Sequence, residues 1–411
     1  MTDNTDTCFA TTLPNGLRVC YLPIQSEVAY CGLTIDAGSR DELPGQHGLA
    51  HFVEHTIFKG TRHRRAWHIL NRMERVGGEL NAFTTKENTT IYSIFPRPHL
   101  ERATELIADL VAYSTFPQQE ITREREVVLD EAASYRDSPA EAIYDDFEDL
   151  IWAGSTLGHN ILGNEDDLRQ FTGDDCRQYL NNLYVPSNMV FFIVGNYKQP
   201  SRLFNIVERH FGSLNHQLTK HQRVAPAILP AFDTTQQFGT HQSHTIYGAP
   251  VCNMHDENRY AMLLLNNLLG GPGMNSLLNI AIRERRGYAY TVESGVTLFS
   301  DCGLLQIYFG SDQCHVRRAI KVIGDIIDRL ATKPLNERAL EAAKKQFIGQ
   351  LTVASDNHEA FALSAGKSFL YNGRHITNQE VNTRINAVTA QQLMDAAASI
   401  HPTRASILTF K

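Results

Sequence analysis

Two histidines and a glutamate stand within five residues in Gly48-Leu-Ala-His51-Phe-Val-Glu54-His55-Thr-Ile-Phe58. On a helix His51 and His55 share a face, and Glu54 lies about 60° to one side of His51 at roughly 100° per residue. Two imidazoles and a neighbouring acid that converge in this way are donors for a metal ion, and the order H-x-x-E-H reverses the commoner H-E-x-x-H zinc pattern. With 17 His among 411 residues, chance supplies roughly 0.04 such matches per chain. The alternative is a pair of ordinary core histidines bonded to backbone carbonyls. Burying both rings and an acid beside Leu49, Phe52, Val53, Ile57 and Phe58 is costly without a purpose, which favours the metal. His47, one turn before His51, competes by position and is assigned a supporting or solvent-exposed place.

A catalytic zinc takes three protein ligands and leaves one position for water, so a third donor has to come from another element. The helix predicted over 118–135 is the candidate. Projected at 100° per residue, Ile121, Val128, Ala132 and Tyr135 form an apolar stripe, and Arg123, Glu126, Asp130 and Ser134 form the opposite, solvated face. Glu124 and Glu131 fall between Val127 and the stripe, in an arc that a packed helix keeps apolar. One is expected to be a ligand and the other to support the site; the projection does not say which.

The elements that must position these residues read as follows. Strands are predicted over Phe9–Leu13 and Leu17–Leu22 around a Pro14-Asn15-Gly16 turn, then over Val28–Asp36. The histidine helix follows the Gly38–Gly45 loop, and a helix from Trp67 stops at Gly77-Gly78. Asn81–Thr85 and Thr89–Phe95 read as a hairpin. Helices over 98–114, 118–135 and 139–152, a strand over 188–195 and a helix over 201–211 complete the first half. The polar, aperiodic stretch after Leu214, with Pro226 and Pro230, is the expected linker (215–232) between domains 1–214 and 233–411. The second half opens with strand character over 237–247, a helix over 257–269 and the break Gly270-Gly-Pro-Gly273. It repeats the first at an offset of 216: Tyr92 and Tyr308, His99 and His315, Arg102 and Arg318, Ala103 and Ala319, Ile107 and Ile323, Asp109 and Asp325. The repeat lacks metal donors, since Asn267, Gly270 and Gly271 stand where His51, Glu54 and His55 would be.

Composition limits the classes of function. With 42% hydrophobic and 20% charged residues the chain is globular, and 38 basic against 45 acidic side chains, net −7, argue against nucleic acid as a partner. The start, Met1-Thr-Asp-Asn, has no basic region or apolar run of a signal peptide, and no stretch approaches 18 apolar residues, so no membrane partner and a cytoplasmic location are expected. Seven scattered cysteines without C-x-x-C spacing fit reduced core residues.

Four stretches together resemble the pitrilysin/insulinase family of zinc peptidases, in a short two-domain form similar to the mitochondrial processing peptidase beta subunit. They are the histidine motif, Gly77-Gly-Glu-Leu-Asn-Ala-Phe-Thr-Thr-Lys-Glu-Asn-Thr-Thr-Ile-Tyr92, Glu124-Arg-Glu-Val-Val-Leu-Asp-Glu131 and Arg283-Glu-Arg-Arg-Gly-Tyr-Ala-Tyr290. The resemblance implies an α+β fold of two duplicated domains, each a mixed, mainly antiparallel sheet covered by helices. It makes Glu131 the third ligand and Glu124 its support, implies one zinc per chain, and leaves Glu54 as the general base for a zinc-activated water.

The same resemblance points to Asn81 and Ala82 as a strand edge for an extended peptide substrate. Arg283 and Tyr290 are by themselves a helix-end arginine and a strand tyrosine; the resemblance places them at the substrate carbonyl, as stabilisers of an oxyanion. Since longer relatives supply that pair from another domain, a homodimer, or a heterodimer with a related subunit, enclosing a chamber is expected. The expected activity is a zinc endopeptidase; the alternatives are a processing peptidase for one presequence or modified peptide, and a non-catalytic partner subunit. Pro272 within the glycine run, Leu277 where the family often has arginine, and His47 depart from the family pattern.

Overall fold

A computed structural model describes residues 7–215 and 223–411; residues 216–222 of the expected linker and the first six residues lie outside the described residues. The strands and helices run β1 (Phe9–Thr12), β2 (Arg18–Pro23), β3 (Val28–Ile35), α1 (Leu49–Thr56), α2 (Ala66–Glu74), β4 (Glu79–Thr84), β5 (Thr89–Pro96), α3 (Leu100–Tyr113), α4 (Gln118–Arg136), α5 (Pro139–Ile151), α6 (Glu165–Leu168), α7 (Gly173–Leu183), β6 (Met189–Gly195) and α8 (Pro200–Phe211). The second half continues with β7 (Asp233–Gln236), β8 (Ser243–Val251), α9 (Arg259–Gly270), β9 (Thr291–Leu298), β10 (Gly303–Ser311), α10 (Val316–Thr332), α11 (Glu337–Ala354), α12 (His358–Asn372), α13 (Asn378–Ala387), α14 (Ala390–Ser399) and β11 (Ser406–Phe410).

Contacts divide the chain into two compact units that are not sequential halves. Among the described residues, the first holds those within 1–132, 159–223 and 354–379, and the second those within 133–158, 224–353 and 380–411. The first unit's sheet has the order β1-β2-β6-β3-β5-β4. Its central strand β6, Met-Val-Phe-Phe-Ile-Val-Gly, is buried throughout, because both faces of the sheet are covered. Phe191 and Ile193 face the cluster formed with α1 and α3, and Val190, Phe192 and Val194 face Ala362, Ala365, Phe369 and Leu370 of α12. Gly366 lets α12 approach that closely, since a Cβ there would stand 2.6 Å from the Phe192 ring.

The second unit repeats the scheme with one strand fewer, in the order β7-β11-β8-β10-β9. The pairs β2/β6 and β7/β11 are parallel, and the other pairs in both sheets are antiparallel. Tyr92 and Tyr308 sit in the equivalent strands β5 and β10, and Ala103, Ile107, Ala319 and Ile323 are the buried face of the equivalent helices α3 and α10. The residues that match at the 216 offset therefore occupy matching places in two copies of one topology.

Three expectations differ from the structure, the first being that Tyr135, expected on the apolar stripe of α4, is 41% exposed. The strand expected over 237–247 is broken: Phe238 and Gly239 both donate backbone N–H groups to the Lys411 carbonyl, Gly239 adopts φ +73°, and β8 begins only at Ser243. The helix α7 was not expected. It is opened by Thr172 and Asp175 bonding each other's backbone N–H groups, and it buries Cys176, Tyr179 and Leu180. Among the described residues no helix is long and apolar enough to cross a membrane.

Candidate metal centre

Helix α1 opens at Gly48, whose φ of +97° suits glycine, and a Cβ there would lie 2.7 Å from the Leu162 carbonyl oxygen. From that start the helix buries Leu49, Ala50, Phe52, Val53 and Thr56 in the first unit's core and turns His51, Glu54 and His55 toward α4 and β4. The His51 and His55 rings stand edge to face with centroids 4.5 Å apart. His51 Nε2 lies 3.9 Å and His55 Nε2 3.4 Å from the same Glu131 oxygen, Oε2. Donor atoms of His51, His55 and Glu131 all fall within 4.8 Å of one another, the one such group found among the described residues.

This donor set fits zinc. Tetrahedral zinc with bonds of roughly 2.0–2.2 Å separates its ligand atoms by about 3.4 Å, close to the spacing seen. Burial, and then the neighbouring His55, pushes His51 down to about 3, so its imidazole is neutral and has a lone pair to give. For His55, burial works to lower its pKa, but Glu124, Glu131 and Glu54 outweigh it and hold the ring above its ordinary value. His55 Nδ1 lies 3.0 Å from Glu124 Oε1. With the proton on that nitrogen, Nε2 presents its lone pair beside Glu131.

Glu124 is itself held by Lys59 of the turn that follows α1. Lys59 Nζ is 2.7 Å from Glu124 Oε2, and although burial would raise the Glu124 carboxyl, His55 and Lys59 keep it below its usual range. Lys59 follows His55 by four residues, but it closes a 3₁₀ turn beyond the end of α1, so the α-helical period does not carry to it. Glu54 carries a buried oxygen, Oε2, without a hydrogen-bond partner among the described residues. Burial raises its carboxyl, opposed by the Thr84 hydroxyl of β4, and the balance stays above the ordinary value. A carboxylate with a free buried oxygen and a raised pKa suits proton transfer near neutrality.

Thr84 ends β4, the edge strand of its sheet. Within β4, Asn81 pairs with Tyr92 and Ala82 with Ile91. Ala82 packs on the core that includes α1, whereas Asn81 is exposed across from Tyr92, whose hydroxyl donates to Glu359 of α12 at 2.9 Å. His47 stacks on His159 at 4.1 Å and its Nδ1 lies 3.9 Å from Asp167. It is outside the metal-binding group. Arg283 and Tyr290 belong to the second unit. Arg283 lies on a short π-helical segment, Asn279–Glu284, Tyr290 immediately precedes β9, and both side chains are exposed.

The second unit has its own version of the α1/β4 cleft. Asn267, Gly270 and Gly271 of α9 and its end line a cavity of 540 Å³ together with Arg283, Glu293 and Ser294. Glu293 pairs with Tyr308 as Asn81 pairs with Tyr92. Among the described residues no His or Cys lines this cleft, and Glu293 is its one acid.

Comparison with known proteins agrees with the two-part architecture. Residues 19–165 match a family described as insulinase (peptidase family M16), and residues 170–347 match one described as the peptidase M16 inactive domain. An uncharacterized zinc protease of Streptomyces coelicolor is 32% identical over 97% of this chain and 88% of its own length, and one of Bacillus subtilis is 32% identical over 95% and 94%. The mitochondrial-processing peptidase subunit beta of Caenorhabditis elegans is 27% identical over 95% of this chain and 86% of its own. A crystal structure of a protease from Helicobacter pylori superposes with a TM-score of 0.91, covering 98% of this chain and 99% of the other at 21% identity, a likeness of fold.

Proposed function

The chain belongs to the insulinase (M16) family of peptidases, and on that premise we propose that it is a zinc-dependent endopeptidase whose metal centre is His51, His55 and Glu131. The carrying observation is the convergence of those three donors from two helices, with Glu54 beside them holding an unpartnered buried oxygen. A single zinc ion held there would supply Lewis acidity, making water more acidic and polarising the scissile carbonyl.

The residues divide the remaining work. Glu54 takes the proton of the attacking water on its free oxygen and delivers it to the leaving amine nitrogen, ending unprotonated as it began. Glu124 fixes the His55 tautomer and orientation, and Lys59 keeps Glu124 anionic. The edge of β4 at Asn81 and Ala82 offers main-chain groups to an extended peptide, giving pairing with little dependence on sequence. Arg283 and Tyr290, exposed on the second unit, stabilise the oxyanion of a partner subunit's site, so that the working form is a homodimer or a heterodimer with a related chain enclosing a chamber. The domains in this reading are 1–214 and 233–411, and the location is cytoplasmic.

A mass-resolved digest of a mixed peptide library, run with metal analysis, tests the proposal. Wild type should carry one zinc per chain and cleave, and Glu54→Gln should keep the zinc and leave the library intact. A wild type with neither zinc nor cleavage would defeat the reading. Similarity to a processing-peptidase subunit along 95% of the chain favours, as a second reading, cleavage of one class of presequence; the same digest separates the two by the number of distinct peptides cut.

A further inference from the structure

Helix α1 carries two of the proposed zinc ligands, yet it lacks the usual device for starting a helix. The first turn of a helix leaves four backbone N–H groups without partners, and a Ser, Thr, Asp or Asn at the opening residue ordinarily accepts from them. Here that residue is Gly48, and a side chain cannot stand there because a Cβ would meet the Leu162 carbonyl at 2.7 Å and Gly163 at 2.9 Å. The cap has to come from elsewhere in the chain.

Glu42 supplies it. Its side chain has 0% exposure, its Oε1 accepts from the Ala50 N–H at 2.7 Å, and its Oε2 accepts from the Gly48 N–H at 2.9 Å. The same Oε2 lies 2.8 Å from His159 Nε2, and the His159 ring stacks on His47. The Lys86 ammonium donates to the His159 carbonyl, tying this loop to the end of the β4–β5 hairpin. Ala50 directly precedes His51, so the bonds to Glu42 end one residue short of a ligand.

Helix stability by itself does not account for this arrangement. A fully buried carboxylate carries a desolvation cost that a serine cap on an open turn would avoid. That cost shows as burial driving the Glu42 carboxyl well above its usual range, against the pull of the Ala50 and Gly48 N–H groups. What the carboxylate adds is two bonds of fixed geometry to one turn, from a point outside the helix. We propose that Glu42 is a positioning residue for the metal centre: by gripping the Gly48 and Ala50 N–H groups, with His159 donating to it, it fixes the turn that presents His51. The consequence for zinc rests on the function proposed above; the fixing of the turn does not.

Two measurements on Glu42→Gln decide it. Zinc affinity by chelator competition should fall about 10- to 100-fold, and in zinc-free protein the amides of residues 49–52 should exchange faster relative to those of α3. Glu42→Asp, which keeps the charge but shortens the reach, gives the same two readings should the glutamine variant not fold. Unchanged affinity and exchange would overturn the inference, and so would a lower Tm with wild-type zinc affinity, which would mark Glu42 as a stabilising group only. If the wild type takes up no zinc, the zinc reading fails, and the exchange of residues 49–52 alone decides whether Glu42 fixes the turn.

Discussion

The α1/β4 cleft of the first unit and the α9/β9 cleft of the second occupy the same place in one topology, and among the described residues only the first brings three metal-ligating side chains together. The difference lies in backbone geometry as much as in side chains. In α1 the helix continues beyond Glu54 through His55 and Thr56, so both histidines and the acid have helical positions from which to converge. In α9 the helix ends at Gly270, and Gly271 has the extended ψ of 179°. A Cβ on Gly270 would lie 2.8 Å from the Ser294 backbone nitrogen, and one on Gly271 would lie 2.6 Å from Asn267 Oδ1. Side chains at 270 and 271 would meet β9 and the preceding turn of α9 respectively, so the second cleft lacks room for the motif as well as donors.

The comparison breaks most easily at Glu54. If the first cleft is the catalytic one, Glu54→Gln should lower kcat by about 10²–10⁴-fold, the range for loss of a general base, with zinc content unchanged by elemental analysis. Retained turnover would move the chemistry elsewhere in the molecule. The reverse graft addresses the second cleft. Asn267→His, Gly270→Glu and Gly271→His together should bind no additional zinc and should destabilise the protein by about 1–3 kcal/mol, the usual result of overpacking, read as a lower midpoint in urea. A grafted protein of wild-type stability holding two zinc ions would show that the clefts differ in side chains alone.

Much of this contrast could be read in the chain, for reasons that are local. His51, Glu54 and His55 lie within two turns of one helix, so spacing alone brings them together, and the loss of donors at 267, 270 and 271 follows from the repeat. The helical projection stopped at two equivalent acids on α4. Three-dimensional packing separates them, setting Glu124 against His55 Nδ1 and Glu131 against the Nε2 atoms of both histidines. Glu42, His159, Thr84 and Lys59 were not legible as parts of the site. The first three reach it through loop and strand placements that no period in the sequence encodes, and Lys59 lies beyond the end of α1, where the helical pattern had already broken at a 3₁₀ turn. The exchange of segments between units was hidden for a similar reason: α5 is amphipathic in sequence, but nothing in its residues says that Ile143 and Phe147 pack on Ile246 and Leu408 of the second sheet.

The support behind the ligands gives a finer test. Glu124→Gln keeps the shape of the side chain and can still accept from His55, but it loses the charge that favours the proton on Nδ1. Zinc affinity should fall about 10- to 100-fold by competition with a chromophoric chelator, while the fold, followed by circular dichroism, is kept. An affinity equal to wild type would mean that Glu124 serves packing and not the metal.

The smallest expected effect belongs to Lys59, and it is the one that shows whether the support is a chain or a set of separate contacts. Its side chain is 29% exposed against 9% for that of Glu124, so solvent already screens part of the pair. Lys59→Met should therefore weaken zinc binding by roughly tenfold or less, in line with about 1 kcal/mol for a partly exposed ion pair. If Lys59 acts only by keeping Glu124 charged, its effect must vanish once Glu124 is neutral: Lys59→Met added to Glu124→Gln should cost no further affinity, a non-additive cycle. Additive losses would give Lys59 a path to the metal centre of its own, and no loss in either background would reduce the 2.7 Å pair to a surface contact. The second unit contains no counterpart to this relay, because α9 has stopped and no histidine stands at 271 to receive it.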